Sequence, residues 1–162
     1  MSRRVAVALG VSAVIVAAAV AVPLLTLGGE QKHRLTRAAY SRSVTAIFVE
    51  VGRRLRAAPG GPSVGETSAD LSSIKDALDR AVAKLHALEP PADAERRHRT
   101  LVSATHAYAV QVDLVRASVD FGDPVTIASH LREVTAPRAI QRVLRSLNAN
   151  GYRIPVTIVV LH

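Results

Sequence analysis

Apolar positions recur every three or four residues through most of this chain, and prolines and glycines interrupt the recurrence at intervals that mark helix ends. From Gln31 to Ala58 the residues Leu35, Ala39, Val44, Ile47, Phe48, Val51 and Leu55 lay one apolar stripe along a helix. Pro59-Gly60-Gly61-Pro62 ends it, and the stretch to Glu66 reads as loop. A second helix is predicted from about Ser68, an N-cap residue with acidic Asp70 in the first turn. It carries Leu71, Ile74, Leu78, Ala81, Leu85 and Leu88 and stops at Pro90-Pro91. A third begins around Ala92, buries Leu101, Thr105, Tyr108, Val112, Val115 and Val119, and runs out at Phe121-Gly122.

Asp123-Pro124 pairs a capping residue with a proline suited to the first helical position, so it starts a fourth helix. Its apolar positions are Ile127, Leu131, Val134, Ile140, Val143, Leu144 and Leu147, and Asn150-Gly151 closes it. Pro137 lies inside this pattern and predicts a kink or short break, with Thr135 as a second cap. Short connections between successive amphipathic helices imply antiparallel neighbours. The expected fold is therefore all-α, an up-down four-helix bundle over residues 30–153. The last segment, 154–162, is β-branched and apolar from Ile154 to Leu161, which reads as an extended tail lying in a groove of the bundle or against a partner.

Ahead of this domain, Val5 to Leu27 contains no charged residue, a run just long enough at about 1.5 Å per residue to cross a hydrocarbon layer of about 30 Å. Residues 1–29 are thus expected to form a signal-anchor or a signal peptide. Arg3 and Arg4 precede the run, and Ala19-Val20-Ala21 has the small-x-small form of a cleavage site. The apolar stretch continues through Leu24, Leu25 and Leu27, longer than an ordinary signal core, so an uncleaved transmembrane helix is the preferred reading and cleavage near Ala21 the alternative. Positive residues flank both sides: Arg3 and Arg4 before, Lys32, Arg34, Arg37 and Arg42 after. The short N-terminal tail and the Ala-x-Ala element favour a single-pass protein in the cell membrane with its C-terminal domain extracytoplasmic.

Composition narrows the chemistry. Among the 162 residues there is no cysteine, which removes disulfides, thiolate catalysis, thiolate metal sites and lipid-modified cysteine. The six histidines, His33, His86, His98, His106, His130 and His162, are scattered and read as surface residues. Glu95 and His98 form one Glu-x-x-His, half of the pattern that di-iron bundles need twice, so no metal site and no cofactor is expected. His86 and His98 flank the Pro90-Pro91 turn, where two neutral ligands without a carboxylate make a poor metal site. Asp76 and Asp79 alternate with Lys75 and Arg80 as a solvated surface, and no nucleophile elbow or phosphate-binding glycine loop occurs, so no catalytic residues are assigned.

The net charge of +8 is uneven, concentrated on the first and fourth helices. Nucleic-acid modules add stacking aromatics or a recognition helix, and neither is present. Beside a membrane, the arginines of the first helix are expected near anionic headgroups or an acidic envelope polymer. Leu85-x-x-Leu88-x-Pro90-Pro91 followed by His98-x-x-Leu101 resembles the Pro-Pro hairpin of small exported helical proteins of high-GC bacteria. That resemblance implies an envelope location and supplies no catalytic residue. The expectation is a non-catalytic, membrane-anchored helical domain that binds a protein partner or the cell envelope. The alternatives are a sensor-like bundle holding a small apolar ligand and a basic, cytoplasm-facing protein that touches nucleic acid.

Overall fold

A computed structural model describes residues 34–58 and 63–155, and within them every regular element is helical. The chain divides into two units, 1–31 and 32–162, and all the described residues belong to the second. The expected membrane span, the cleavage site and the tail beyond Pro155 lie outside the described residues. Among the described residues no helix is long and apolar enough to cross a membrane.

Five α-helices among the described residues form a helical bundle: α1 (Arg37–Ala57), α2 (Val64–His86), α3 (Glu95–Phe121), α4 (Pro124–Glu133) and α5 (Ala136–Ala149). The buried sides follow the sequence periodicity closely. On α3, Leu101, Thr105, Tyr108, Val112, Val115 and Val119 are all buried, as the spacing predicts. On α2 the same holds for Leu71, Ile74, Leu78, Ala81 and Leu85. The central member is α3, which packs on α2, α4 and α5, while α1 packs on α2.

Two boundaries differ from the sequence expectation. The first is the start of α2, which lies at Val64 and not near Ser68. Ser63 accepts from the Glu66 amide at 3.2 Å while the Glu66 carboxylate accepts from the Ser63 amide, a reciprocal capping box. The Ser63-Val64-Gly65-Glu66 segment reads as loop because Pro59-Gly60-Gly61-Pro62 precedes it and Gly65 lies within it, yet a single well-placed cap overrides the modest propensity cost of Gly65. The second is the start of α1, which lies at Arg37, capped by Thr36, and not at Gln31. The fourth apolar pattern is two helices, with the short break that Pro137 predicts. Pro137 sits in the first turn of α5, where its missing N–H is tolerated, and Val134-Thr135 form the break.

Thr135 occupies the N-cap position of α5 but its side chain makes no capping bond. Its backbone is in the helical region (φ −103°, ψ −16°), unlike the extended caps Thr36, Ser63 and Asp123. The Ala136 amide is satisfied instead by Gln111 Oε1 of α3 at 3.0 Å. At the other end of α3, Gly122 adopts φ +72° and its N–H bonds the Ser118 and Val119 carbonyls, the left-handed closure that a glycine permits.

Several contacts gather one end of the bundle. The Leu35 amide donates to the Glu89 carbonyl at 2.9 Å, which holds the approach to α1 against the exit from α2. Arg37 reaches Asp93 at the approach to α3, and Tyr152, just past α5, donates to the same carboxylate at 2.9 Å. The chain after α5 is seated here too: Tyr152 and Ile154 are buried, and Asn148 bonds both the N–H and the C=O of Ile154.

Candidate functional site

Tyr40 is missing from the apolar stripe read along α1, yet it is fully buried at the gathered end. Its hydroxyl lies 3.1 Å from His98 Nδ1. With the Leu85 carbonyl drawing on the same ring, the proton is assigned to Nε2, and Nδ1 then accepts from the Tyr40 hydroxyl. A single buried imidazole thus links α1, α2 and α3. This corrects the reading of His98 as a surface residue: it is 6% exposed, placed on the inner side of α3 one turn before Leu101. Burial, with the neighbouring His86 adding to it, holds the His98 imidazole below its ordinary pKa, against the opposing pull of the Leu85 carbonyl and Glu89. Burial and then Tyr152 push the Tyr40 phenol well above its ordinary range.

Around this pair the rings of Tyr40 and Tyr152 meet edge to face at 5.6 Å, and the Arg37 guanidinium stands 5.7 Å from the centre of the Tyr152 ring. The Tyr152 hydroxyl and then Arg37 hold the Asp93 carboxyl below its ordinary value. These groups are satisfied by one another, and together they clasp the end of the bundle.

A cleft of about 540 Å³ opens beside it and brings together His86, His98 and His106 with Glu89, Glu95, Arg34 and Arg99. The half-motif Glu95-x-x-His98 does not converge: Glu95 pairs with Arg34 and Arg99, and His98 turns to Tyr40. Among the described residues no three potential ligands are placed to hold a metal ion. His130, half-buried on α4, reaches Ser118 of α3 at 3.0 Å, while His33 and His162 lie outside the described residues. The Lys75–Asp79 pair at 2.7 Å is the solvated ion pair that the alternation of charges on α2 suggests.

The basic residues divide into paired and bare. Near α1, Arg34 and Arg37 engage Glu95 and Asp93, while Arg53 and Arg54 share Glu50. The first helix is therefore less cationic in the folded domain than its sequence implies. On α5 the three arginines, Arg138, Arg142 and Arg145, have no acidic neighbour within the helix and make no ion pair among the described residues. Arg142 faces Arg96 and Arg97 of α3 across a second cleft, of about 580 Å³, whose lining holds no carboxylate among the described residues.

A further unpartnered surface is apolar. Val110, Leu114 and Phe121 share one face of α3, and Phe121 (88% exposed) lies close in sequence to the exposed Val125 at the start of α4. None of the residues of α4 is fully buried. Of the positions read as its apolar face, Ile127 is half-buried against the core but Leu131 is 42% exposed, because a helix of ten residues docked on α3 covers little surface. Comparison with protein-family models, with characterised proteins and with solved structures gives no match.

Proposed function

We propose that this protein is a non-catalytic, membrane-anchored domain on the outer side of the cell membrane, which binds an anionic component of the envelope or the acidic face of a protein partner. The observation that carries the binding half of this reading is the cleft lined by Arg96, Arg97 and Arg142 without a carboxylate. Guanidinium groups left without counter-charge on a folded surface raise the local potential and favour anionic partners. The uncharged run from Val5 to Leu27 supports the anchor. The finer architecture proposed for the domain is an up-down bundle in which α4 and α5 together form the fourth member; the meeting of the approaches to α1 and α3 with the exits of α2 and α5 supports it.

The two clefts open to solvent and mix a few apolar side chains with charged ones, so they do not favour a small apolar ligand between the helices. Protease treatment of intact cells tests the topology. Digestion of the C-terminal domain before the membrane is breached is the expected result, and resistance until lysis overturns the outward-facing reading in favour of the cytoplasmic alternative. The mass of the mature protein tests the anchor: an intact chain that resists alkaline extraction is expected, and a freely extracted species beginning at Val22 replaces the anchor with a secreted domain.

A further inference from the structure

The cleft between the start of α3 and the middle of α5 has a donor set that points to more than general attraction for negative charge. Arg97 is held before any ligand arrives: its Nε donates to Ser146 Oγ at 3.0 Å and one Nη donates to the Asp93 carbonyl at 3.0 Å. These two bonds anchor it to both walls and leave guanidinium N–H groups free on its outer edge. Ser146, accepting from Arg97, keeps its own O–H to donate. Arg96 from the α3 wall and Arg142 from the α5 wall complete the set, above a floor of Ala139 and Val143. The Asp93 carboxylate is the nearby acid in sequence, but it is turned to Arg37 and Tyr152.

We propose that this cleft binds a phosphate ester, with Arg97 and Ser146 as the pre-oriented donors and Arg96 and Arg142 closing on the anion from opposite walls. The proposal rests on reading the domain as an anion-binding module. Guanidinium forks match pairs of phosphate oxygens, and their N–H···O⁻ bonds are among the stronger hydrogen bonds available at a surface. A carboxylate presents two oxygens in one plane, too few for three guanidinium groups and a hydroxyl arriving from two walls. A phosphate ester presents its oxygens tetrahedrally and answers both walls at once. Because Arg97 is already ordered, part of the entropy cost of fixing a long side chain is met in folding. A cleft of about 580 Å³ has room for the phosphate and the group esterified to it.

The test is isothermal titration of the full-length protein, solubilised in an uncharged detergent, with three probes: glycerol 3-phosphate as a monoester, glycerophosphoglycerol as a diester, and citrate as a carboxylate of high charge. Saturable binding of at least one phosphate ester, tighter than citrate, is expected. A preference for the monoester identifies a free phosphorylated compound as the source, and a preference for the diester identifies a lipid headgroup or a phosphodiester polymer. Arg96→Ala and Arg142→Ala are each expected to weaken that binding about tenfold, the loss of roughly one charge-assisted contact. Both residues are solvent-exposed, so an unchanged melting temperature is expected to show that the variants fold. Citrate bound as tightly as the esters, with the same arginine dependence, overturns the phosphate assignment and leaves the anion-binding reading standing. Ester binding indifferent to Arg96 and Arg142 overturns the site alone. No binding of any anion overturns both.

Discussion

Replacing Tyr40 by Phe removes one oxygen atom from the interior and is expected to destabilise the domain by about 1–3 kcal/mol, the cost of stranding a buried acceptor. The side chain keeps its shape, so no cavity is created and the lost packing is negligible. What changes is His98 Nδ1, which accepts from the Tyr40 hydroxyl at 3.1 Å in a site where the two residues are 0% and 6% exposed. Without that hydroxyl the nitrogen has no donor and little access to water. For a domain of this size, about 3–5 °C of melting temperature accompanies each kcal/mol, so a fall of about 3–15 °C is expected in far-UV circular dichroism melts at pH 7.5. The same pair sets a pH dependence. Burial lowers the folded-state pKa of His98, so the unfolded chain binds its proton first as pH falls. The stabilisation from a neutral, buried His98 is complete above the ordinary histidine pKa of about 6.5 and is lost as pH falls from there through the lowered folded value. His98→Leu removes this titration and is expected to flatten the decline in stability between pH 7.5 and 5, although it lowers stability overall by stranding the Tyr40 hydroxyl. A Tyr40→Phe protein that melts within 1 °C of the parent, or a His98→Leu protein with the parent's pH profile, refutes the account of a buried imidazole clasp.

Other elements carry their own tests. Ser63→Ala removes the side-chain acceptor of the Glu66 amide, leaving the backbone half of the α2 capping box in place, and is expected to cost about 0.5–2 kcal/mol, read as a lower urea midpoint with an unchanged m-value. Asn148→Ala leaves the Ile154 N–H and C=O without their partner, and amide exchange at Ile154 is expected to accelerate at least tenfold while the exchange of core amides in α3 changes less. Gly122→Ala meets no steric obstacle but places a Cβ at φ +72°, so a loss of about 1 kcal/mol is expected by thermal melt.

The helices and their inward faces are legible along the chain because helical periodicity, capping residues and prolines act within a few residues of one another. The Asp123-Pro124 start, the Pro90-Pro91 stop and the Gly122 closure are all local. The start of α2 is harder to place although its capping box is present in the sequence, since the flanking Pro62 and Gly65 give the stronger local signal. The site residues are harder still. Tyr40 and His98 carry polar atoms and sit 58 positions apart, and only their pairing makes either one a core residue.

An all-helical domain, the positions of its apolar faces and an excess of arginine can be read from the chain before it folds. Which arginines keep their charge unanswered emerges only from packing: Arg34, Arg37, Arg53 and Arg54 meet Glu95, Asp93 and Glu50, whereas Arg42 and Arg56 on α1 and Arg138, Arg142 and Arg145 on α5 make no ion pair among the described residues. Packing likewise makes Gln111 and not Thr135 the partner of the first amide of α5, and lets Asn148 seat the chain at Ile154. The difference is one of range. Helical periodicity and capping are set by neighbours within about one turn, while the satisfaction of a charge or a buried polar atom depends on which side chain another helix brings within about 3 Å.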